Sequence, residues 1–149
     1  GGLTTIEEKS LGAIVKSGTK PIEGVLEYTE APSRPGLWIK DTPGREIEVL
    51  TAMSIAGAQA MLFSTGRGAP QGFPIAPVLK ICGNPHTYVH MSGDMDVNAG
   101  LIITGEKSIE ELGDETLAHL LRVMSGEVTK SEEIRYTTSM DIYTLGPVI

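Results

Sequence analysis

The sequence predicts an α/β domain: a Rossmann-like, mostly parallel sheet with helices on both faces. Three observations carry this reading. Short apolar, β-branched segments alternate with stretches of helical spacing, most segments close on Gly or Pro, and two helix starts show the capping-box pattern. Thr5-Ile6-Glu7-Glu8 is the first such box; Ile6, Leu11, Ala13, Ile14 and Val15 follow, and Gly18 closes a helix of about three turns. Gly36-Leu37-Trp38-Ile39-Lys40-Asp41 reads as a strand ended by Thr42-Pro43-Gly44, and Glu46 to Gln59 then carries apolar residues at helical spacing. Ala60 to Phe63 is the next strand, followed by the Gly/Pro-rich loop Ser64 to Pro74. Pro77 to Cys82 is another strand, and Asn84-Pro85 is the cap and first residue of a short helix through Met91. Leu101-Ile102-Ile103-Thr104-Gly105 reads as a further strand, before Ser108-Ile109-Glu110-Glu111 opens a helix running to about Met124. Such alternation implies parallel strands joined by right-handed crossovers.

Composition bounds the rest. A chain of 149 residues with 40% hydrophobic content can bury one sizeable core, so residues 1–149 are expected to form a single domain. The net charge of -7 argues against nucleic acid or an anionic membrane as partner, because phosphate binding draws on clustered Lys and Arg. One cysteine excludes an internal disulfide framework, and no run of about eighteen apolar residues offers a membrane span. A cytoplasmic protein is the expectation. The chain opens on Gly1-Gly2 without a Met, which suggests a fragment or a processed chain.

The chemically richest stretch is Ser64-Thr65-Gly66-Arg67-Gly68-Ala69-Pro70-Gln71-Gly72-Phe73-Pro74. In an open α/β sheet, ligands lie at the carboxyl ends of strands, where this loop falls; its glycines let a ligand approach the backbone, and Arg67 suits a carboxylate clamp. The alternative is a plain strand-to-loop turn. The loop has neither a Walker ending nor a G-x-G-x-x-G, so a nucleotide is not indicated. Asp94-Met95-Asp96-Val97-Asn98 places three oxygen-bearing side chains at alternating positions, a potential hard-cation site or simply a helix cap or solvated turn; it lacks the EF-hand glutamate. His86 and His90 share a helix face but lack a third ligand, His119 reads as a structural helix residue, and Cys82 as a small buried hydrophobe.

Gly1-Gly2-Leu3-Thr4-Thr5-Ile6-Glu7-Glu8-Lys9-Ser10-Leu11-Gly12 resembles the segment that opens the carboxyl-terminal part of the altronate/galactarate dehydratase family. Asp41-Thr42-Pro43-Gly44, Ser64 to Gly68, Lys80-Ile81, Asp94 to Gly100 and Ser125-Gly126-Glu127 agree in the same order, so the resemblance covers essentially the whole chain. It implies a hydro-lyase of carbohydrate catabolism that dehydrates a sugar acid such as altronate or galactarate. A sulfo-lyase branch, which eliminates sulfite from sulfolactate, and a non-catalytic structural or assembly domain are the alternatives. The resemblance further implies a divalent metal, Fe2+, and a carboxyl-terminal fragment of a larger protein, completed by an upstream region or partner subunit and expected to be homo-oligomeric. The implied chemistry is β-elimination: a base takes the proton α to the carboxylate and the enolate charge is stabilised. On this basis Arg67 and Lys9 are the candidate catalytic residues, Lys9 as second cation or base unless it is only a solvated helix-start lysine. Thr4, Thr5, Thr65, Gly66 and Gly68 are the candidate substrate-binding residues, and Asp94 and Asp96 the candidate metal ligands. The choice among altronate, galactarate and sulfolactate is not written in the sequence.

Overall fold

Two stretches of extended backbone, β1 (Ile22–Leu26) and β2 (Leu37–Lys40), pair in parallel, and three more, β3 (Met61–Thr65), β4 (Val78–Cys82) and β5 (Val97–Asn98), form a second parallel sheet in the order β3-β4-β5. The computed structural model of the chain describes residues 5–137 and 140–143. Every strand pairing among the described residues is parallel, as the alternation of elements predicts, but the strands are divided between two small sheets rather than collected in one. β1 is absent from the sequence reading, and its composition explains why. Gly24 interrupts the β-branched pattern at a register shift, and it does so because a Cβ there would come within 2.9 Å of the Trp38 ring. The β1–β2 connection contains no helix. Its loop is held instead by the Lys40 ammonium, which donates to the carbonyls of Glu27 (2.9 Å) and Glu30 (2.6 Å).

The helices are α1 (Ile6–Lys16), α2 (Glu46–Ile55), α3 (Pro85–His90), α4 (Gly100–Ile103), α5 (Ile109–Met124) and α6 (Lys130–Glu133). The first predicted capping box rests on Glu8, whose side chain lies outside the described residues. The second is formed: Ser108 Oγ accepts the Glu111 N–H (3.1 Å) and the Glu111 carboxylate accepts the Ser108 N–H (2.8 Å), which holds that carboxyl below its usual range. α2 stops four residues short of the predicted Gln59. Gly57 takes a left-handed φ of 95°, its N–H bonds to Ser54 O, and the Ala58 N–H reaches Met53 O at 3.0 Å, a Schellman closure.

The run from Leu101 to Gly105 is a correction: it forms the single turn α4 and not a strand. The place beside β4 is already taken by β5, the Asn98 side chain accepts the Gly100 N–H (3.1 Å), and Gly100 sits so close to Pro85 that a Cβ would lie 2.5 Å from its nitrogen. Tertiary packing thereby overrides the β propensity of Ile102 and Ile103.

The two faces of β4 build two cores. Val78 packs with Met61, Phe73, Ala76 and Leu50 of α2, whereas Leu79 packs with Val97 and with Leu112 and Val123 of α5. Helices therefore cover both faces of this sheet, as the sequence predicts. Among the described residues no helix is long and apolar enough to cross a membrane.

Two glycines give opposite expectations on urea unfolding. Gly100→Ala must displace Pro85 and should cost about 1–3 kcal/mol. Gly113→Ala, within α5 where a new Cβ meets nothing, should add about 1 kcal/mol. Equal midpoints for the Gly100 variant and the parent would show that the Pro85 contact does not hold α4.

Candidate functional site

The carboxyl ends of β3 and β4 frame a cavity of about 550 Å³. Its polar lining is Ser64, Thr65 and Gly66 from the end of β3, Asn84 and His86 at the start of α3, and Lys16 from the end of α1. Ile81, Ala99 and Ile103 supply apolar wall. The strand ends are tied by the Gly83 N–H to Thr65 O (2.8 Å) and the Ala99 N–H to Cys82 O (2.8 Å). Asn84 is the cap that the sequence predicts: its Oδ1 accepts the N–H groups of His86 (2.9 Å) and Thr87 (3.1 Å), while Pro85 takes the first helical position.

The sequence-predicted residues divide around this cavity. Thr65 and Gly66 line it, with Thr65 Oγ1 accepting the Arg67 N–H at 3.3 Å. Arg67 follows directly, exposed to solvent, and among the described residues its guanidinium has no ion-pair partner. Gly68 has a local reason to be glycine: its φ is 84°, and a Cβ would collide with Met91 and Thr87 of the α3 region. Thr5 is exposed just before α1, and Lys9 lies on that helix with its side chain outside the described residues, as Thr4 is altogether. The sequence reading missed Ser64 and Lys16 as lining residues and set His86 aside. The signal for Lys16 was present, since it lies seven residues after Lys9 and so on the same stripe of α1.

A second cluster lies at Lys80, where a lysine interrupts the apolar run Val78-Leu79-Lys80-Ile81. Its side chain is 0% exposed, and the ammonium faces the Asp96 carboxylate at 3.8 Å, itself 2% exposed, and donates to Pro70 O at 3.3 Å. Asp96 does more than neutralise it. Oδ2 accepts the Lys80 N–H and Oδ1 the Lys130 N–H, both at 2.7 Å, and the Asp96 N–H returns to Lys80 O at 2.9 Å. Burial pushes the Lys80 ammonium below the ordinary lysine range, opposed by the charges of Asp96, Asp94 and Glu132. Asp96 thus carries a structural load with both oxygens engaged, and Asp94 with Asp96 does not fit a divalent ion. Among the described residues no three His, Cys, Asp or Glu side chains come together to hold a metal.

Sheet and cavity together define an α/β fold with parallel strands and a cavity at the carboxyl ends of β3 and β4, the place where open sheets hold their ligands. Residues 1–147 match the family model described as D-galactarate/altronate dehydratase, C-terminal, and the chain belongs to that family. It is 42% identical over 135 residues to the (2R)-sulfolactate sulfo-lyase subunit beta of Chromohalobacter salexigens, covering 90% of this chain and 35% of that one. It is 35% identical over 133 residues to altronate dehydratase of Bacillus subtilis, covering 89% and 27%. Galactarate dehydratase (L-threo-forming) of Escherichia coli is 35% identical over 149 residues, covering 99% and 28%. The chain therefore spans about a third or less of the length of these relatives.

Asp96→Asn keeps the shape of the Lys80 partner and removes its charge. Unfolding in urea near pH 7 should show a loss of about 3–5 kcal/mol, the usual result of leaving one member of a buried pair unpaired. Because the folded chain holds the Lys80 proton more weakly than the unfolded chain, this group favours folding increasingly as pH rises below the ordinary lysine value. Without Asp96 the effect strengthens, so the deficit of the variant should narrow between about pH 7 and about pH 10. A deficit that stays constant across that range would locate the loss in the backbone contacts instead.

Proposed function

We propose that this domain supplies the carboxylate-binding part of a β-elimination site in a lyase acting on a sugar acid such as altronate or galactarate. One observation carries the reading. In a chain with 19 acidic residues, six of the eleven described Lys and Arg side chains lie beside a carboxylate, while Lys20 and Arg135 lie outside the cavity lining and Lys40 donates to the carbonyls of Glu27 and Glu30. Lys16 and Arg67, at and beside the strand-end cavity, have no such partner among the described residues. Unpaired cations beside hydroxyls and an exposed glycine backbone suit an anionic, polyhydroxylated ligand.

In this reading Arg67 grips the substrate carboxylate through its planar fork. Ser64, Thr65 and the Gly66 backbone hold the carboxylate and neighbouring hydroxyls, and the apolar wall keeps bulk water from the reacting carbons. Lys16, and Lys9 two turns earlier on α1, lower the energy of the enolate that forms when the α-proton leaves. Gly68 acts by letting the loop pack on α3. The divalent metal implied by the family resemblance finds no fitting donor set among the described residues, so its ligands would come from the remainder of a longer polypeptide or from a partner subunit.

The 42% identity to a sulfo-lyase subunit favours a second reading, in which the same carboxylate grip serves sulfolactate and the leaving group is sulfite. Both readings share the Arg67 contact and differ in the β substituent.

The test is turnover of altronate, galactarate and sulfolactate by the full-length protein and its Arg67→Lys variant. One acid should be turned over by the parent, and the variant should lose roughly tenfold or more in kcat/KM because an ammonium cannot reproduce the bidentate fork. Undiminished turnover would remove Arg67 from the site. No turnover of any of the three would leave the domain a structural module.

A further inference from the structure

We infer that His86 is the proton-transfer residue of the strand-end cavity, an assignment that rests on the β-elimination reading above. Among the described residues, the cavity is lined by two side chains that carry a basic nitrogen, Lys16 and His86. Elimination of a β-hydroxyl needs a group that first takes the α-proton and then gives one back to the departing oxygen. An imidazole does both near neutrality, whereas a lysine ammonium is held protonated there.

The chain has three histidines, and their surroundings differ. His90 is committed, with Nδ1 at 2.7 Å from the His86 carbonyl. His119 lies on α5 with Nε2 at 3.3 Å from Glu127, away from the strand-end cavity. His86 lines the cavity, and neither of its ring nitrogens has a hydrogen-bond partner among the described residues. Its backbone is nevertheless fixed, because its N–H is bonded to Asn84 Oδ1 at the cap of α3. A free ring on a fixed backbone, lining the same cavity as Thr65 and Gly66, is the arrangement a general base requires. The other titratable side chain lining the cavity is Lys16 from α1, and His90 lies one turn further along α3 with its Nδ1 on the His86 carbonyl.

The step balances without any further reactant. The unprotonated ring nitrogen of His86 takes the proton from the carbon α to the carboxylate. The electron pair of that C–H bond passes into the carboxylate to give the enolate; it then returns to form the Cα=Cβ bond as the β C–O bond breaks with its pair moving to oxygen. The imidazolium returns its proton to that oxygen, which leaves as water, and the enol rearranges to the 2-keto acid.

The experiment uses the full-length enzyme with the acid it turns over. His86→Gln leaves the backbone cap intact at an exposed position, so the variant should unfold at the parental temperature. Its kcat should fall about 10²–10⁴-fold while KM stays within about threefold, and exchange of the α-proton with D₂O should stop. An active parent whose variant keeps kcat, or keeps the exchange, overturns the assignment and leaves the lyase reading standing. A parent inert toward all three acids overturns the lyase reading and the assignment with it.

Discussion

The buried pair of Lys80 and Asp96 is the contact on which the rest of the arrangement depends. One carboxylate receives the N–H of β4 and the N–H at the start of α6, while the ammonium it neutralises is fastened to the loop at Pro70. The β4–β5 pair is thereby joined to the start of α6 and to the loop at Pro70, which lie outside its ladder. Such a pair adds little net stability, since desolvating both charges offsets most of their attraction. Its effect is on which arrangement forms. A slip of β4 by one residue would move the ammonium to the α5 face, into the apolar cluster of Val97, Leu112 and Val123.

The loop between β3 and β4 acquires its shape from that anchor. No helix crosses between these strands; Ala69, Phe73 and Ala76 are buried in its place, and Gly72 approaches Ser131 too closely for any side chain. The lower part of the loop is core, held between the sheet and the segment around α6. Its upper part, Gly66 to Gly68, is what remains at the rim of the cavity. The polar rim is thus positioned by an apolar floor a few residues away, and a ligand at Gly66 would meet backbone that is already ordered.

What could be read from the sequence follows the range of the forces involved. α5 was legible to the residue because its ends are set by neighbours along the chain, a Ser108 box at one end and Gly126 with a φ of 108° at the other. The Asn84-Pro85 cap was legible for the same reason, and so was the strand-end position of the Thr65-Gly66-Arg67 loop. α4 was misread because Ile102 and Ile103 favour extended backbone locally, and only the Pro85 contact and the prior claim of β5 turn them. β1 went unseen because Gly24 answers to Trp38, a residue of another strand. Lys16 is marked only by its seven-residue spacing from Lys9, and His86 only by sharing a helix face with His90. They reach the cavity from α1 and α3, and neither spacing says that these helices meet at the ends of β3 and β4. Asp96 showed the reverse, a local pattern that suggested an ion where the fold supplies a lysine.

The all-parallel pairing has a consequence for how the chain reaches this state. Ile22 meets Leu37, Met61 meets Val78, and Ile81 meets Val97, so no ladder can start as a hairpin from a tight turn. Each must wait for a long stretch of intervening backbone to close, and the entropy of closure is lost before any contact offsets it. Folding of this segment is accordingly paced by topology, in the slower range for small domains. During that interval the edges of β3 and β4 stand open to neighbouring chains, which makes dilution and an early-forming α5 the conditions for a clean yield.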